Sequence, residues 1–515
     1  MKGPGQILPV SAARWPAKTA LITATRSLTY AELDDASTRV ACGLLRRGVK
    51  PGRVVSLYGP NTWQWIVGYH GILKAGAIVN PINSMLTPPE VAYILGDAQS
   101  TAILTASAQV ETVAGLTRDL PDLGSVLSLE AAVAGHESVA DLLAESPEAL
   151  PPAPELSDSS TIGYTSGTTG HPKGAVQTQR AVLFNCALTA TSHSRTENDI
   201  CVSALPAPHV YGNVVINGTF MSGGTIVLHE RFDPEQFLDS VGRYGATILD
   251  CVPAMYAVML ASSAIGRADL SRVTRSVSGG QTIPAPTIKA WEERSGSPFL
   301  ELWGMTELSG PATSQTLFMP RIPGSVGQSL PGTEIRIASL DDVTQDAPTG
   351  EPGELMARGP FVMTGYFNNA EATKLAIEPD GWLHTGDIAK MDDSGNVFLV
   401  DRRNDMIITG GYNVYPAEIE RVVAGNPAVA LVAVGSVPDE VRGELACAYV
   451  VLKEGASTSA AEIIEATKDS LAPYKRPRLV RFVTDLPKTS TGKIQRRNLL
   501  KFAEETGAPA AQGLG

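Results

Sequence analysis

A glycine- and hydroxyl-rich stretch, residues 164–174, combines the residue types that bind phosphate. Glycines let a backbone approach a ligand closely, and successive N–H groups form an anion-binding nest. Lys173 adds a point charge suited to phosphate, whereas Pro172 stands where a Walker A loop needs its second glycine. A flexible linker would need neither the Pro-Lys-Gly ending nor the apolar flanks, so the stretch predicts a phosphate-binding loop of another kind. The predicted contacts are Thr165, Ser166, Gly167, Thr168, Thr169, Gly170 and Lys173.

Four later segments carry further side chains that could bind a ligand or take part in a reaction. Glu307 ends the run Leu-Trp-Gly-Met-Thr-Glu, and a carboxylate beside a phosphate loop suits Mg²⁺, which prefers oxygen ligands and bridges to nucleotide phosphates. Asp387 ends Trp-Leu-His-Thr-Gly-Asp and can accept hydrogen bonds from both hydroxyls of a ribose. The other two segments are residues 401–416, which begin Asp-Arg-Arg-Asn-Asp, and residues 486–496, which end Gly-Lys-Ile-Gln-Arg.

Taken in this order, the five motifs resemble those of the adenylate-forming superfamily of acyl-CoA synthetases, luciferases and peptide-synthetase adenylation domains. The resemblance spans nearly the whole chain and implies an ATP-dependent acid–CoA ligase. In such an enzyme a carboxylate attacks the α-phosphate of MgATP, which gives an acyl-adenylate and pyrophosphate, and the CoA thiol then displaces AMP. The implied cofactors are ATP, Mg²⁺ and coenzyme A, and the implied partner is a small carboxylic acid.

The resemblance also assigns roles around the nucleotide. It implies that Glu307 holds Mg²⁺, that Thr306 contacts the α-phosphate, and that Asp387 and Arg402 bind the ribose. Trp303 stands where the family usually has tyrosine, and it keeps an aromatic face for adenine.

The resemblance places the adenylation lysine at Lys493. Its ammonium would stabilise the negative charge that develops on the α-phosphate. Asn404 falls at the family's hinge, which is usually Asp or Lys, and Gly410 and Gly411 match glycines that line the thiol-bearing arm of CoA. The C-terminal domain is therefore expected to be mobile.

Three further residues bear on the acceptor. Arg476 and Arg478 concentrate positive charge in an acidic chain, and they either contact the nucleotide phosphates of CoA or form a solvated basic face. His209 matches the aromatic gate between the acyl pocket and the CoA tunnel, although a lone histidine is more often structural.

The acyl pocket is expected to contain many small residues and no lysine or arginine. This composition favours a medium- or long-chain fatty acid, with an aryl or hydroxycinnamic acid as the alternative. A luciferase-like oxygenase shares the first step, and an amino-acid-adenylating enzyme would need an aspartate near residues 210–213, where none occurs. The expected pocket residues are Tyr211, Gly212, Ser278, Gly279, Gly280, Gly304 and Met305.

The elements that must position these groups alternate between helix and strand. Thr29 and Glu32 form a capping-box pattern before a helix whose apolar face includes Leu33, Ala36, Val40 and Leu44. Residues 53–59 and 77–80 have the pattern of strands, with a helix between them. This rhythm predicts an α/β fold with a large N-terminal domain of largely parallel, helix-covered sheets.

Later segments predict smaller parts. Glycines among short strand patterns predict a small antiparallel β subdomain over residues 324–367. A compact α+β domain is expected at the C-terminus, with a helix over residues 460–471. The predicted domains are residues 1–401, which bind ATP and the acyl group, and the mobile residues 402–515, which carry the adenylation lysine.

Composition limits the expected number of domains, the binding partners and the compartment. A chain of 515 residues with a net charge of −12 is long enough for two or more domains and offers no basic footprint for nucleic acid. Five scattered cysteines without a C-x-x-C pair fit a reducing compartment. No transmembrane segment is predicted. We expect a cytoplasmic monomer or homodimer.

Overall fold

The computed structural model describes residues 1–116, 119–165, 172–402, 405–409, 412–439, 441–468, 470–488 and 494–513. The chain forms two compact units. The first consists of Met1–Gln281, Thr287–Ile335 and Ala357–His384, and the second consists of Thr282–Pro286, Arg336–Met356 and Thr385–Gly515.

The described residues form helices throughout both units. None of these helices combines the length and apolar character needed to cross a bilayer. The α-helices are α1 Ile7–Arg14, α2 Tyr30–Arg46, α3 Trp63–Lys74, α4 Pro88–Asp97, α5 Val110–Leu116, α6 Val139–Leu143, α7 Gln179–Ser192, α8 Val210–Met221, α9 Pro234–Tyr244, α10 Pro253–Ala261, α11 Ala285–Ser295, α12 Ala370–Ala376, α13 Pro416–Val423, α14 Ala460–Ala466 and α15 Leu499–Glu505.

The strands of the described residues are mostly short. They are β1 Thr19–Ile22, β2 Ser27–Thr29, β3 Val54–Tyr58, β4 Ile78–Ile82, β5 Ala102–Thr105, β6 Ser125–Ser128, β7 Ser159–Thr165, β8 Lys173–Thr178, β9 Ile200–Ser203, β10 Thr225–Leu228, β11 Ile248–Cys251, β12 Arg275–Ser278, β13 Phe299–Met305, β14 Gly310–Ser314, β15 Gln328–Ser329, β16 Glu334–Ala338, β17 Gly353–Arg358, β18 Gly365–Tyr366, β19 Leu383–Met391, β20 Val397–Arg402, β21 Ile407–Thr409, β22 Tyr412–Val414, β23 Val429–Asp439, β24 Gly443–Leu452, β25 Leu479–Phe482 and β26 Gln512–Gly513.

The first unit contains two large sheets. One has the strand order β15-β14-β13-β12-β11-β9-β10-β1-β2, and the other has the order β18-β8-β7-β4-β3-β5-β6. In both sheets the central strands are parallel and antiparallel strands lie at an edge. The predicted α/β fold with largely parallel sheets is confirmed.

Local signals explain where these elements begin. The capping box of α2 forms as predicted, since the Thr29 hydroxyl accepts from the Glu32 N–H at 3.2 Å and the Glu32 carboxylate accepts from the Thr29 N–H at 2.8 Å. The predicted apolar face of α2 is buried. Strand β3 is buried along its whole length, which is typical of a parallel strand covered on both faces.

Two strand ends of the first unit position the site. Strand β7 ends at Thr165, just before the predicted phosphate loop, and pairs antiparallel with β8, so that Thr165 lies opposite Lys173. Strand β13 ends at Met305 and passes into a single 3₁₀ turn, Thr306–Leu308. Ligands of open α/β sheets bind at the carboxyl ends of strands, and both of these ends carry predicted site residues.

A four-stranded sheet has the order β16-β17-β19-β20. The predicted antiparallel subdomain is therefore longer than residues 324–367, because β19 and β20 complete it. Strand β18, inside the predicted range, pairs instead with β8 of the seven-stranded sheet.

The second unit also contains a six-stranded sheet, in which β24 lies between β23 and β25. Apolar residues of α13 and α14 pack on this sheet in one buried cluster. The helix predicted over residues 460–471 ends at Ala466. The Thr467 hydroxyl donates to the Ile464 carbonyl at 2.7 Å, a local bond that competes with helix continuation.

Candidate active site

Glu307 lies in the 3₁₀ turn after β13, and it is 7% exposed. Its Oε1 accepts a hydrogen bond from the Tyr366 hydroxyl at 3.0 Å. The Thr165 hydroxyl lies 3.5 Å from the same oxygen. The carboxylate is thus held beside the end of β7, where the predicted phosphate loop begins.

The β7–β8 hairpin fixes the turn that carries Glu307. The side-chain amide of Gln177 donates to the Thr306 carbonyl at 2.8 Å. Gly163 allows the close approach, because a Cβ at that position would lie 2.7 Å from Thr306 Cγ2. The β7–β8 hairpin that flanks the predicted phosphate loop therefore packs directly against the turn that carries Glu307.

Tyr366 was not predicted from the sequence. Strand β18 sets Tyr366 opposite Ala175 of β8, and Lys173 Nζ lies 5.2 Å from the centroid of its ring, within the range of a cation–π contact. Burial, and then the neighbouring Glu307, raises the pKa of Tyr366 far above that of a free phenol. The phenol therefore stays protonated and acts as a donor.

The oxygen donors at this position suit magnesium. A Glu307 carboxylate and a Thr165 hydroxyl are hard ligands, and Mg²⁺ typically takes one or two carboxylates and completes its shell with water and nucleotide phosphates. No cluster of three or more His, Cys, Asp or Glu side chains that could cage a metal occurs in the part of the chain that the structure describes. The donor set fits an ion that arrives with a nucleotide.

His209 and Thr306 line one cavity of the first unit. His209 is the N-cap of α8, and its Nδ1 accepts from the Tyr211 N–H at 3.2 Å, which leaves the proton of a neutral ring on Nε2. This bond fixes the ring of the predicted gate at the cavity wall. The lining residues are Pro81, Thr161, Gly163, Tyr164, Gln177, Val182, Pro208, His209, Val210, Asn213, Thr306 and Ser309.

Three glycines of the expected acyl pocket are required by chain packing. A Cβ on Gly212 would lie 2.3 Å from the Pro206 carbonyl oxygen, and one on Gly304 would lie 2.1 Å from that of Gly310. A Cβ on Gly279 would lie 2.3 Å from a methyl group of Leu302. Protein atoms already occupy the space into which a side chain would extend at these positions, so the expectation that these small residues leave room for a long acid is wrong there.

Other expected pocket residues differ in their conformation and surroundings. Gly280 has φ +90°, a conformation that favours glycine, and among the described residues a Cβ there would meet only Val252, at 3.9 Å. Trp303 and Met305 lie on β13, where Trp303 is buried opposite Thr313.

Two buried hydroxyls belong to the same expected pocket. Tyr211 lies on α8 and Ser278 ends β12, and they are 5% and 2% exposed. Neither hydroxyl has a hydrogen-bond partner among the described residues. Burial raises the pKa of Tyr211 well above its ordinary value, so this phenol is also a neutral donor.

In the second unit the two predicted ribose ligands face each other. Asp387 of β19 pairs with Arg402 of β20, and Arg402 Nε lies 2.9 Å from an oxygen of Asp387. The Asp387 N–H donates to the Thr385 hydroxyl at 3.1 Å, which in turn donates to the Leu355 carbonyl at 2.5 Å. The hairpin thus brings together two residues that the sequence separates.

The predicted CoA-binding arginines differ in their surroundings. The guanidinium of Arg476 donates to the carbonyls of Leu471, at 2.9 Å, and Lys468, at 3.1 Å. Arg478 is exposed. The remaining predicted site residues lie outside the described residues: Ser166, Gly167, Thr168, Thr169, Gly170, Asn404, Gly410, Gly411 and Lys493.

Known proteins resemble this chain over nearly its whole length. Residues 8–367 match the AMP-binding enzyme family, and residues 418–493 match the AMP-binding enzyme C-terminal domain. A feruloyl-CoA synthase of an Amycolatopsis species is 35% identical, with 94% of this chain and 96% of that protein covered. A long-chain-fatty-acid–CoA ligase of Bacillus subtilis is 32% identical, with 97% and 94% covered.

A solved structure extends the likeness to the fold. The crystal structure of the anthranilate CoA ligase AuaEII with anthranoyl-AMP superimposes with a TM-score of 0.91 at 29% identity, and 97% of each chain is covered.

Proposed function

Because the chain belongs to the family of AMP-binding enzymes, in its acid–CoA ligase branch, we propose that residues 164–174, Glu307, Asp387, Arg402 and Lys493 form its adenylation site. The chain is an AMP-forming acyl-CoA synthetase that uses ATP and coenzyme A, with Mg²⁺ as the usual ion of these enzymes.

The observation that carries the assignment of the site is the position of Glu307. Its carboxylate is held by Tyr366 and lies beside Thr165, at the start of the predicted phosphate loop. Magnesium bound there would screen the phosphate charges as the acid carboxylate attacks the α-phosphate. Thr306, in the same turn, is the proposed contact of that phosphate, and Lys493 is the proposed cation for the charge that develops on it.

The thioester step rests on the C-terminal part of the chain. We propose that residues 402–515 move about Asn404, so that Gly410 and Gly411 replace Lys493 at the reacting centre and admit the CoA thiol. Arg478 is exposed, and its guanidinium has a long contact of 3.5 Å to the Pro473 carbonyl. Arg476 donates to two carbonyls at 2.9 and 3.1 Å, so Arg478 is the better placed of the two arginines to meet a phosphate of CoA.

The acid is proposed on separate grounds. A medium- or long-chain fatty acid is the expectation from the sequence, and the Bacillus subtilis fatty-acid ligase supports it. Gly212, Gly279 and Gly304 do not support this expectation, because chain packing explains why they are glycines.

An aryl acid is the second candidate. The buried hydroxyls of Tyr211 and Ser278 favour it, because a buried polar group without a partner is costly and a hydroxyl or carbonyl on the acid would satisfy it. The resemblance to the feruloyl and anthranilate enzymes points the same way.

A panel of acids tests the proposal. AMP and pyrophosphate are measured with and without CoA for octanoic, palmitic, ferulic and anthranilic acids. Tyr211→Phe provides the second arm: if the phenol contacts an aryl acid, the variant loses activity on ferulic acid and keeps activity on palmitic acid. Turnover that gives ADP with every acid would contradict the proposed chemistry.

A further inference from the structure

Arg496 lies at the centre of a cluster of three carboxylates in the second unit. Its Nε and Nη2 donate to the two oxygens of Glu420 at 3.0 and 2.7 Å, a bidentate pair. Its Nη1 donates to Asp405 at 3.1 Å and to Asp401 at 3.3 Å. The arginine side chain is 22% exposed, so these ion pairs are partly protected from water.

Two of the three carboxylates around Arg496 are themselves held by the backbone. Glu420 lies on α13 and accepts the N–H of Val434 at 2.8 Å. Asp401 lies one residue before the end of β20 and accepts the N–H of Ala417 at 2.7 Å. The guanidinium is thus held by acceptors on separate elements and has little freedom to shift.

The chain just before Arg496 leads back to Lys493, three positions earlier. Lys493 lies outside the described residues, but the residues on either side of segment 489–493 are held together. Lys488 and Ile494 form an antiparallel bridge, and the Gln495 N–H donates to the Pro487 carbonyl at 2.8 Å. Arg496 is therefore the anchored residue at the base of the segment that carries Lys493.

We propose that Arg496 is a positioning residue for adenylation, whose contacts with Glu420, Asp405 and Asp401 orient the segment that presents Lys493. The inference rests on the proposed function, because it assigns to Lys493 the charge on the α-phosphate. Arg496 contacts no substrate in this scheme. Its effect is geometric, and a misplacement of about 1 Å in a catalytic group can cost roughly 10²-fold in rate.

Separate measurement of the two half-reactions distinguishes a positioning role of Arg496 from a general structural role. Arg496→Met is expected to lower kcat of acyl-adenylate formation about 10- to 100-fold, with KM for ATP and for the acid unchanged. Conversion of supplied acyl-adenylate and CoA to thioester does not use Lys493 and should fall much less than adenylation; any small loss would come from Asp401 and Asp405, which flank the proposed hinge at Asn404. Arg496→Lys keeps the charge but loses the bidentate fork, and it should fall between the two. Arg421→Met, an exposed arginine on the same helix as Glu420, is the matched control and should behave as wild type.

Amide hydrogen exchange gives a readout that needs no activity. Residues 487–496 should exchange faster in Arg496→Met than in Arg421→Met, while β23 and β24 keep their protection. Equal losses in both half-reactions, unchanged adenylation, or unchanged exchange at residues 487–496 would each overturn the proposal. Failure of the proposed function would show elsewhere, as normal adenylation by Lys493→Ala.

Discussion

Removal of the Tyr366 hydroxyl probes the central contact of the site. Tyr366→Phe deletes one oxygen, the atom that donates to Glu307 at 3.0 Å, and keeps the ring that lies 5.2 Å from Lys173 Nζ. The Thr165 hydroxyl, at 3.5 Å, is too distant to replace that bond. The substitution therefore leaves the carboxylate in place but frees it to rotate.

The size of the effect follows from the charge of the acceptor. A hydrogen bond to a charged group contributes about 1.5–3 kcal/mol, and about 1.4 kcal/mol corresponds to a factor of ten. Tyr366 is half-buried, which favours the lower part of that range. We expect kcat/KM for MgATP to fall roughly 10- to 30-fold, most clearly at low Mg²⁺.

Pyrophosphate release across a magnesium titration is the assay. Tyr58→Phe is the control, because its hydroxyl donates to the Leu86 carbonyl at 3.0 Å, in the same unit but outside the site. Its kcat/KM should match wild type. Activity of Tyr366→Phe within twofold of wild type at every magnesium concentration would refute the role given to this contact.

Three further predictions concern catalysis and stability. Lys493→Ala should lower the rate of acyl-AMP formation by roughly 10²–10³ in single turnover, as for loss of one transition-state donor, and an unchanged rate would show the assignment to be wrong. Arg195 and Asp250 form a fully buried ion pair at 2.6 Å, so Asp250→Leu should cost about 3–5 kcal/mol in urea unfolding, and addition of Arg195→Met should recover most of it. A double variant no more stable than the single one would contradict this. Burial lowers the pKa of His70 from 6.5 to about 3. As the pH falls, this histidine therefore binds a proton in the unfolded chain before it does in the folded one. The free energy of unfolding of wild type should fall by about 1 kcal/mol more than that of His70→Leu between pH 7 and pH 5.5, and equal decreases would exclude the effect.

Local signals in the sequence were sufficient for many elements. The Thr29–Glu32 capping box forms as predicted, because it depends on neighbours within a few residues, and β3 lies where the sequence predicts a strand. The helix predicted beyond Ala466 is wrong, since the Thr467 hydroxyl competes for a helix carbonyl. Periodicity alone does not report that competition.

The site was only partly predictable for a different reason. Glu307 was identified from its motif, but its contact Tyr366 lies 59 residues away and depends on the pairing of β18 with β8. A two-residue strand has no periodicity that a sequence could reveal. The glycines at positions 212 and 304 were misread in the same way, because the atoms that exclude a side chain come from other parts of the fold.

Product analysis of a single reaction tests the central claim most directly. The protein is incubated with MgATP, CoA and the acid panel, and AMP, pyrophosphate and the thioester are quantified together. The proposed function predicts equal amounts of all three for at least one acid, with sustained AMP formation only when CoA is present. Sustained conversion of the acid to product without CoA, or release of ADP and phosphate, would contradict it.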